Sequence, residues 1–229
     1  MNLKQIKMAL YSLYLTNKFG LKLKKAKNNS ELKQLRIEYS HIILSRLNIE
    51  VNVSGLDKFD PDGQYLLLSN HRSIIDPCII EVALENTRIL GYWVAKKELY
   101  FSFFFGLFVR NGGSILLDRG AKKMNGFFSS IKTNLSQGNS IFVFPEGTRN
   151  KKGTDLAEFK DGSRIIAIKN KLPMLPVYIK TNANEVLHTA INKRKKGLRI
   201  DIEFADVIDY KDRSMGLEQT YRERFKEAI

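Results

Sequence analysis

Four runs of mostly apolar residues, at 65–68 (YLLL), 114–117 (SILL), 140–144 (SIFVF) and 174–180 (MLPVYIK), constrain this chain more than any other feature. None alternates in polarity, so a strand built from any of them carries apolar side chains on both faces and needs cover on both. Between and after them, residues 121–135, 161–169 and 215–229 have helical spacing, while 50–54 (EVNVS) and 198–204 (LRIDIEF) alternate as half-exposed strands do. Buried strands separated by helices define an α/β sandwich with a central sheet that is parallel at least in part.

The first 49 residues have a different rhythm. Leu3, Ile6, Leu10, Leu13 and Tyr14 recur at helical spacing within residues 2–16, and Lys18, Lys22, Lys24, Lys25 and Lys27 follow directly. A second helical pattern spans about 30–47 through Leu32, Leu35, Tyr39, Ile42, Ile43 and Leu47. Two helices ahead of the strands predict an N-terminal amphipathic helical pair, residues 1–49, as an appendage on an α/β domain of residues 50–229. The apolar patch 8–15 behind Lys4 and Lys7 is too short and polar for a cleavable signal. The most apolar stretch, 99–109, falls well short of the ~20 residues a spanning helix requires. If this chain meets a membrane, it lies on it, with the Leu/Ile/Tyr stripe in the acyl region and the lysines on headgroups. The competing expectation is that the same stripe packs on the body of the protein.

Charge narrows the partners. Lys and Arg number 38 against 24 Asp and Glu, a formal net charge of +14, and such an excess suits nucleic acid, an anionic membrane or a phosphorylated substrate. The single cysteine, Cys78, excludes an internal disulfide and a cysteine zinc cluster, and implies a reducing compartment.

In sheets of this kind ligands gather at the carboxyl ends of strands, and the residues there are chemically coherent. After 65–68 comes Ser69-Asn70-His71-Arg72-Ser73-Ile74-Ile75-Asp76-Pro77; after 114–117, Asp118-Arg119-Gly120; after 140–144, Pro145-Glu146-Gly147-Thr148-Arg149. Residues five apart on a helix are turned ~140° from each other, so His71 has to precede the helix if it is to meet Asp76. Asp76 then either caps that helix with Pro77 at its first position, or lies in its first turn behind a Ser73 cap. Either way the carboxylate can accept from one ring nitrogen and leave the other to take a proton from a hydroxyl. Arg119 and Arg149 suit bidentate phosphate recognition, although each taken singly is better read as a surface ion-pair partner. Glu146 either orients a substrate hydroxyl or simply forms a turn, and Pro173 and Pro176 frame a strand.

Taken together these segments resemble the 1-acyl-sn-glycerol-3-phosphate acyltransferase (lysophosphatidic acid acyltransferase) family. The resemblance runs from about residue 50 to 180, through the His-x4-Asp block at His71 and Asp76, Gly113 to Arg119, Phe144-Pro145-Glu146-Gly147-Thr148-Arg149 followed by Phe159-Lys160-Asp161-Gly162, and Leu172 to Val177. Leu116-Leu117 stand where Phe-Ile or similar is common.

The resemblance implies a twisted mixed, partly parallel central sheet flanked by helices, with a membrane-touching N-terminal helical pair. It implies His71 as general base with Asp76 as its partner, and an acceptor held by Arg119, Glu146, Gly147, Thr148 and Arg149, with Pro176 lining the acyl chain or serving structure. The donor would be acyl-CoA or acyl-ACP (acyl carrier protein), the acceptor the sn-2 hydroxyl of lysophosphatidic acid or another lysophospholipid, and the location peripheral or monotopic on the cytoplasmic face of the cell membrane. No metal or resident cofactor is expected. A serine hydrolase is disfavoured because no Gly-x-Ser-x-Gly occurs, and a nucleotide enzyme because no phosphate-binding loop does. A nucleic-acid module would leave His71, Asp76 and Glu146 idle. A non-catalytic lipid-binding relative would have no reason to keep His71, Asp76 and Arg149 together.

Overall fold

A computed structural model describes residues 2–120, 124–193 and 195–226. The elements in chain order are α1 (Leu3–Leu23), α2 (Asn29–Arg46), β1 (Ile49–Ser54), β2 (Leu66–Ser69), α3 (Asp76–Ala83), β3 (Gly91–Lys96), α4 (Lys97–Tyr100), α5 (Gly106–Asn111), β4 (Ser114–Leu117), α6 (Asn125–Ser136), β5 (Ser140–Val143), α7 (Gly162–Asn170), β6 (Met174–Ile179), α8 (Ala183–Lys193), β7 (Leu198–Phe204) and α9 (Leu217–Arg224). The expected helices at 121–135 and 215–229 correspond to α6 and α9; their outer parts, 121–123 and 227–229, lie outside the described residues.

The seven strands form one mixed sheet in the order β1-β7-β6-β2-β5-β3-β4, parallel at every pairing except β6 with β7. Three of the four apolar runs take the centre: β2 sits between β5 and β6, with Leu66 opposite both Ile141 and Met174, and every residue of β2, β5 and β6 is buried. The fourth, β4, departs from the expected two-faced burial, lying at the sheet edge with only Ile115 buried. Leu67 faces one cluster of core residues, and Leu66 and Leu68 the other, as two-faced burial demands. The alternating strands β1 and β7 take one side of the sheet.

Pro176 lies inside β6, buried beside Leu68. Its carbonyl accepts from Ala205 N–H at 3.1 Å, so its absent N–H also faces β7, just where that ladder ends at Val177 opposite Phe204. Pro176 is therefore placed in the sheet, outside the lining of the cavity described below.

Further features depart from expectation, and α4, α5 and α8 lie outside the helical patterns read in the sequence. β3 was not anticipated: its sequence Gly-Tyr-Trp-Val-Ala-Lys mixes aromatic and charged residues, and its burial is mostly intermediate. The helix expected over 2–16 runs on to Leu23, so Lys18 and Lys22 stand on it and not behind it. The N-terminal pair also belongs to the body, because Leu15, Phe19, Tyr39, Ile43, Leu44 and Leu47 share one core cluster with α3 and the sheet. The division expected between residues 49 and 50 runs through that cluster. On α1, Leu15, Phe19 and Leu23 are buried, whereas Leu3, Ile6, Leu10 and Tyr14 of the expected stripe are 65, 42, 62 and 64% exposed, so these four do not pack on the body. Among the described residues no helix is long and apolar enough to cross a membrane.

Candidate active site

Five parallel strands place their carboxyl ends on one edge of the sheet, and the site is built there. Immediately past β2, Asn70 extends the pairing with β6 by its side chain: Nδ2 donates to Ile179 O (3.1 Å) and Oδ1 accepts from Ile179 N–H (2.8 Å). Arg72 is buried and donates to the carbonyls of Ile179 and Lys180. The chain is thus pinned on both sides of His71.

The His71 imidazole Nδ1 lies 2.8 Å from Asp76 Oδ2. The same oxygen accepts the N–H groups of Arg72 and Ser73, both at 2.7 Å. These main-chain bonds close the loop that folds the imidazole back onto the carboxylate. Asp76 is the first residue of α3, with Ile75 in the cap position and no side-chain cap. Neither Asp76 nor Ser73 is the cap, but Asp76 does lie in the first turn, as one of the two expectations has it, with its carboxylate spent on the loop and the ring. Asp76 is fully buried, and Oδ1 has no partner among the described residues. His71 is 17% exposed in its side chain, and among the described residues nothing bonds its Nε2.

The turn after β5 grips His71 by its backbone. Glu146 Oε1 accepts His71 N–H at 2.7 Å, Glu146 Oε2 accepts Ala157 N–H at 3.1 Å, and Asn150 N–H donates to His71 O at 2.7 Å. Burial pushes the Glu146 carboxyl up to about 7, against the lowering pull of those two N–H donors; Asp76 adds to the rise and Arg72 opposes it. Glu146, expected to face the substrate, is 3% exposed and lies outside the cavity lining.

That cavity, about 500 Å³, opens beside His71. Thr148 and Arg149 line it together with Lys96, its other lining includes the aromatic side chains of Trp93, Phe105 and Phe108, and the buried Arg36 and Glu81 reach it as well. Arg119 stands next to it, exposed, donating from Nη2 to Gly147 O at 2.8 Å. Gly147 has φ 69°, and a Cβ there would sit 2.6 Å from Arg119 Nη2, so the turn requires glycine. Burial and the nearby Arg119 and Arg149 charges pull the Lys96 ammonium down from its usual range. Lys96 escapes a reading of the sequence because it ends β3, the strand whose pattern is not legible.

An aromatic stack backs the imidazole. Phe144 lies 3.9 Å from His71, ring to ring and 11° from parallel, and Trp93 stacks on Phe144 at 5.0 Å and 24°. Trp93 Nε1 donates to Glu81 Oε1 at 2.9 Å, and Glu81 pairs with Arg36 of α2 in the interior. Arg36 Nη1 also donates to Gly91 O (2.7 Å) and Gly112 O (3.2 Å). The pattern of α2 gave no hint of this buried arginine.

Comparisons with known proteins give the family and the fold. The sequence model of the family described as Acyltransferase matches residues 50–180. The 1-acyl-sn-glycerol-3-phosphate acyltransferase of Helicobacter pylori is 37% identical over 130 residues, 56% of this chain and 53% of that protein. The human 1-acyl-sn-glycerol-3-phosphate acyltransferase alpha is 32% identical over 158 residues, 67% of this chain and 53% of its own length. The chain spans about half the length of these curated relatives. The crystal structure of the 1-acyl-sn-glycerophosphate (LPA) acyltransferase PlsC from Thermotoga maritima superposes with a TM-score of 0.70 over 99% of this chain and 95% of that one, at 20% identity, which establishes the shared fold.

Proposed function

The chain belongs to the acyltransferase family, and on that premise we propose that it moves a fatty acyl group from an acyl thioester, acyl-CoA or acyl-ACP, to the sn-2 hydroxyl of lysophosphatidic acid, yielding phosphatidic acid for phospholipid biosynthesis. The observation that carries this reading is the 2.8 Å contact between His71 Nδ1 and Asp76 Oδ2 beside a cavity lined by aromatic side chains and by the cations Lys96 and Arg149. With Nδ1–H donated to Asp76, Nε2 is the basic nitrogen and takes the proton of the acceptor hydroxyl. The hydroxyl oxygen then forms the new ester bond to the thioester carbonyl carbon, the C–S bond breaks, and the leaving thiolate recovers the proton from His71. No residue carries the acyl group, so no covalent acyl-enzyme forms. Lys96, Arg119 and Arg149 supply the positive charge for the acceptor's phosphate, while Trp93, Phe105 and Phe108 suit an acyl chain. Thr148 borders the same rim. Glu146 acts through its hold on the His71 backbone.

The chemistry calls for no resident metal or cofactor, and the protein works as a peripheral one on the anionic, cytoplasmic surface of the cell membrane, its α1 outer face toward the lipid. The test is a purified-protein assay crossing acyl-CoA and acyl-ACP with lysophosphatidic acid and other lysophospholipids. Turnover highest with lysophosphatidic acid is expected. Turnover confined to another acceptor would reassign the substrate, and lipid binding without turnover under all pairs would leave a non-catalytic lipid-binding protein.

A further inference from the structure

The turn between α4 and α5 carries two of the most exposed aromatic side chains of the protein, Phe103 at 87% and Phe101 at 62%. The turn is held in place. Ser102 Oγ accepts the N–H groups of Phe104 (3.1 Å) and Phe105 (3.2 Å), Gly106 N–H donates to Ser102 O (2.7 Å), and Arg110 Nη1 donates to Tyr100 O (2.8 Å). The helix that follows is seated on α1: Asn111 Nδ2 donates to Gly20 O at 3.0 Å, and a Cβ on Gly20 would lie 2.8 Å from Phe108 N. The turn and α1 are therefore one rigid piece. Their outer surfaces meet in an open groove of about 600 Å³ lined by Tyr14, Leu21 and Phe103 together with Lys18, Lys22 and Lys25. On its other side the same turn supplies Leu99, Ser102 and Phe105 to the catalytic cavity.

We infer that the Phe101–Phe103 tip is a second membrane-inserting element, which enters an anionic bilayer beside the outer face of α1 and brings the wall of the catalytic cavity to the lipid. This rests on the membrane reading of α1 above and adds a separate element to it. A rigid turn presenting two phenylalanines to water forgoes the gain of burying them, and apolar side chains clustered in this way mark an interaction surface. The three groove lysines select the partner: each is attracted to anionic headgroups while its stem lies along the apolar floor. The tip then forms a short partition between bilayer and cavity, past which a lysolipid needs to move only a few residues' width to reach His71.

The experiment uses the full chain with single tryptophans added to the native Trp93, as Phe103→Trp and Leu10→Trp, and vesicles of phosphatidylglycerol and phosphatidylcholine with brominated acyl chains. Both variants should gain emission that bromine quenches. Quenching in Leu10→Trp alone overturns the tip and leaves α1 docking intact; quenching in neither overturns the membrane reading as a whole. In parallel, the double variant Phe101→Ser/Phe103→Ser should bind these vesicles about tenfold more weakly per phenylalanine lost. Its turnover of vesicle-borne acceptor should fall while turnover of detergent-dispersed acceptor stays unchanged. A loss confined to acyl-ACP with detergent-dispersed acceptor would make the tip a carrier-protein dock and overturn the proposal.

Discussion

His71 and Phe144 lie face to face, 3.9 Å between ring centroids and 11° from parallel. A ring face in this position stabilises positive charge on the imidazole, and such charge develops there when His71 takes the acceptor's proton. Phe144→Leu should lower kcat several-fold, the effect of losing about 0.5–2 kcal/mol of cation–π attraction. Phe144→Trp, which keeps a π face, should retain most of kcat. Equal losses in both variants would show that Phe144 matters only by filling space.

His71→Ala should reduce turnover by about 10²–10⁴, the usual contribution of a general base, with the fold retained but the melting temperature lowered, since the ring is a partner of the buried Asp76 carboxylate and stacks on Phe144. Asp76→Asn should lower both activity and melting temperature, because Oδ2 also closes the loop through two main-chain N–H groups. Circular dichroism melting alongside initial rates separates the two effects.

Glu146 couples stability to pH. Its carboxyl is pushed up to about 7 in the folded protein from an ordinary 4.5, so between those values the native state binds the proton more tightly than the unfolded chain. Stability from this group is therefore full below about pH 4.5 and is lost as pH rises through about 7. Glu146→Gln should remove this fall. The readout is the wild-type urea midpoint minus that of the variant from about pH 4.5 to 8, which should fall steadily as pH rises, the wild type losing ground to the variant, if Glu146 is the source.

The three cations at the rim should act on acceptor binding. Arg149→Lys keeps the charge and loses the fork, and should raise the acceptor KM; Lys96→Met should do the same. Arg119→Ala should raise KM and also loosen the turn it holds through Gly147 O. Unchanged acceptor KM in all three would remove the phosphate from this rim.

Arg36→Leu leaves Glu81 buried without its charge partner, and should cost about 3–5 kcal/mol. The double variant Arg36→Leu/Glu81→Leu should recover part of that loss. Chemical denaturation of the single and double variants measures it, and an exposed, dispensable α2 would show no loss at all.

Much of this protein is written locally. The apolar runs at 65–68, 114–117, 140–144 and 174–180 became four of the seven strands; three of them, β2, β5 and β6, are buried on both faces at the centre of the sheet, while β4 ends the sheet half-buried. Parallel strands then bring whatever follows each run to one edge, which is why His71, Asp76, Thr148 and Arg149 were legible as neighbours before any coordinates. Other features depend on which way elements pack, and local periodicity carries no information about that. The mixed composition of β3 hid Lys96; the Arg36–Glu81 pair joins residues 45 apart in sequence on different helices; Glu146 turned inward to two backbone donors, where its sequence neighbours point to the rim. The stripe on α1 showed the same limit. Helical spacing predicts an apolar face, but only docking against α5 decided that Phe19 and Leu23 would be covered while Leu10 and Tyr14 face outward.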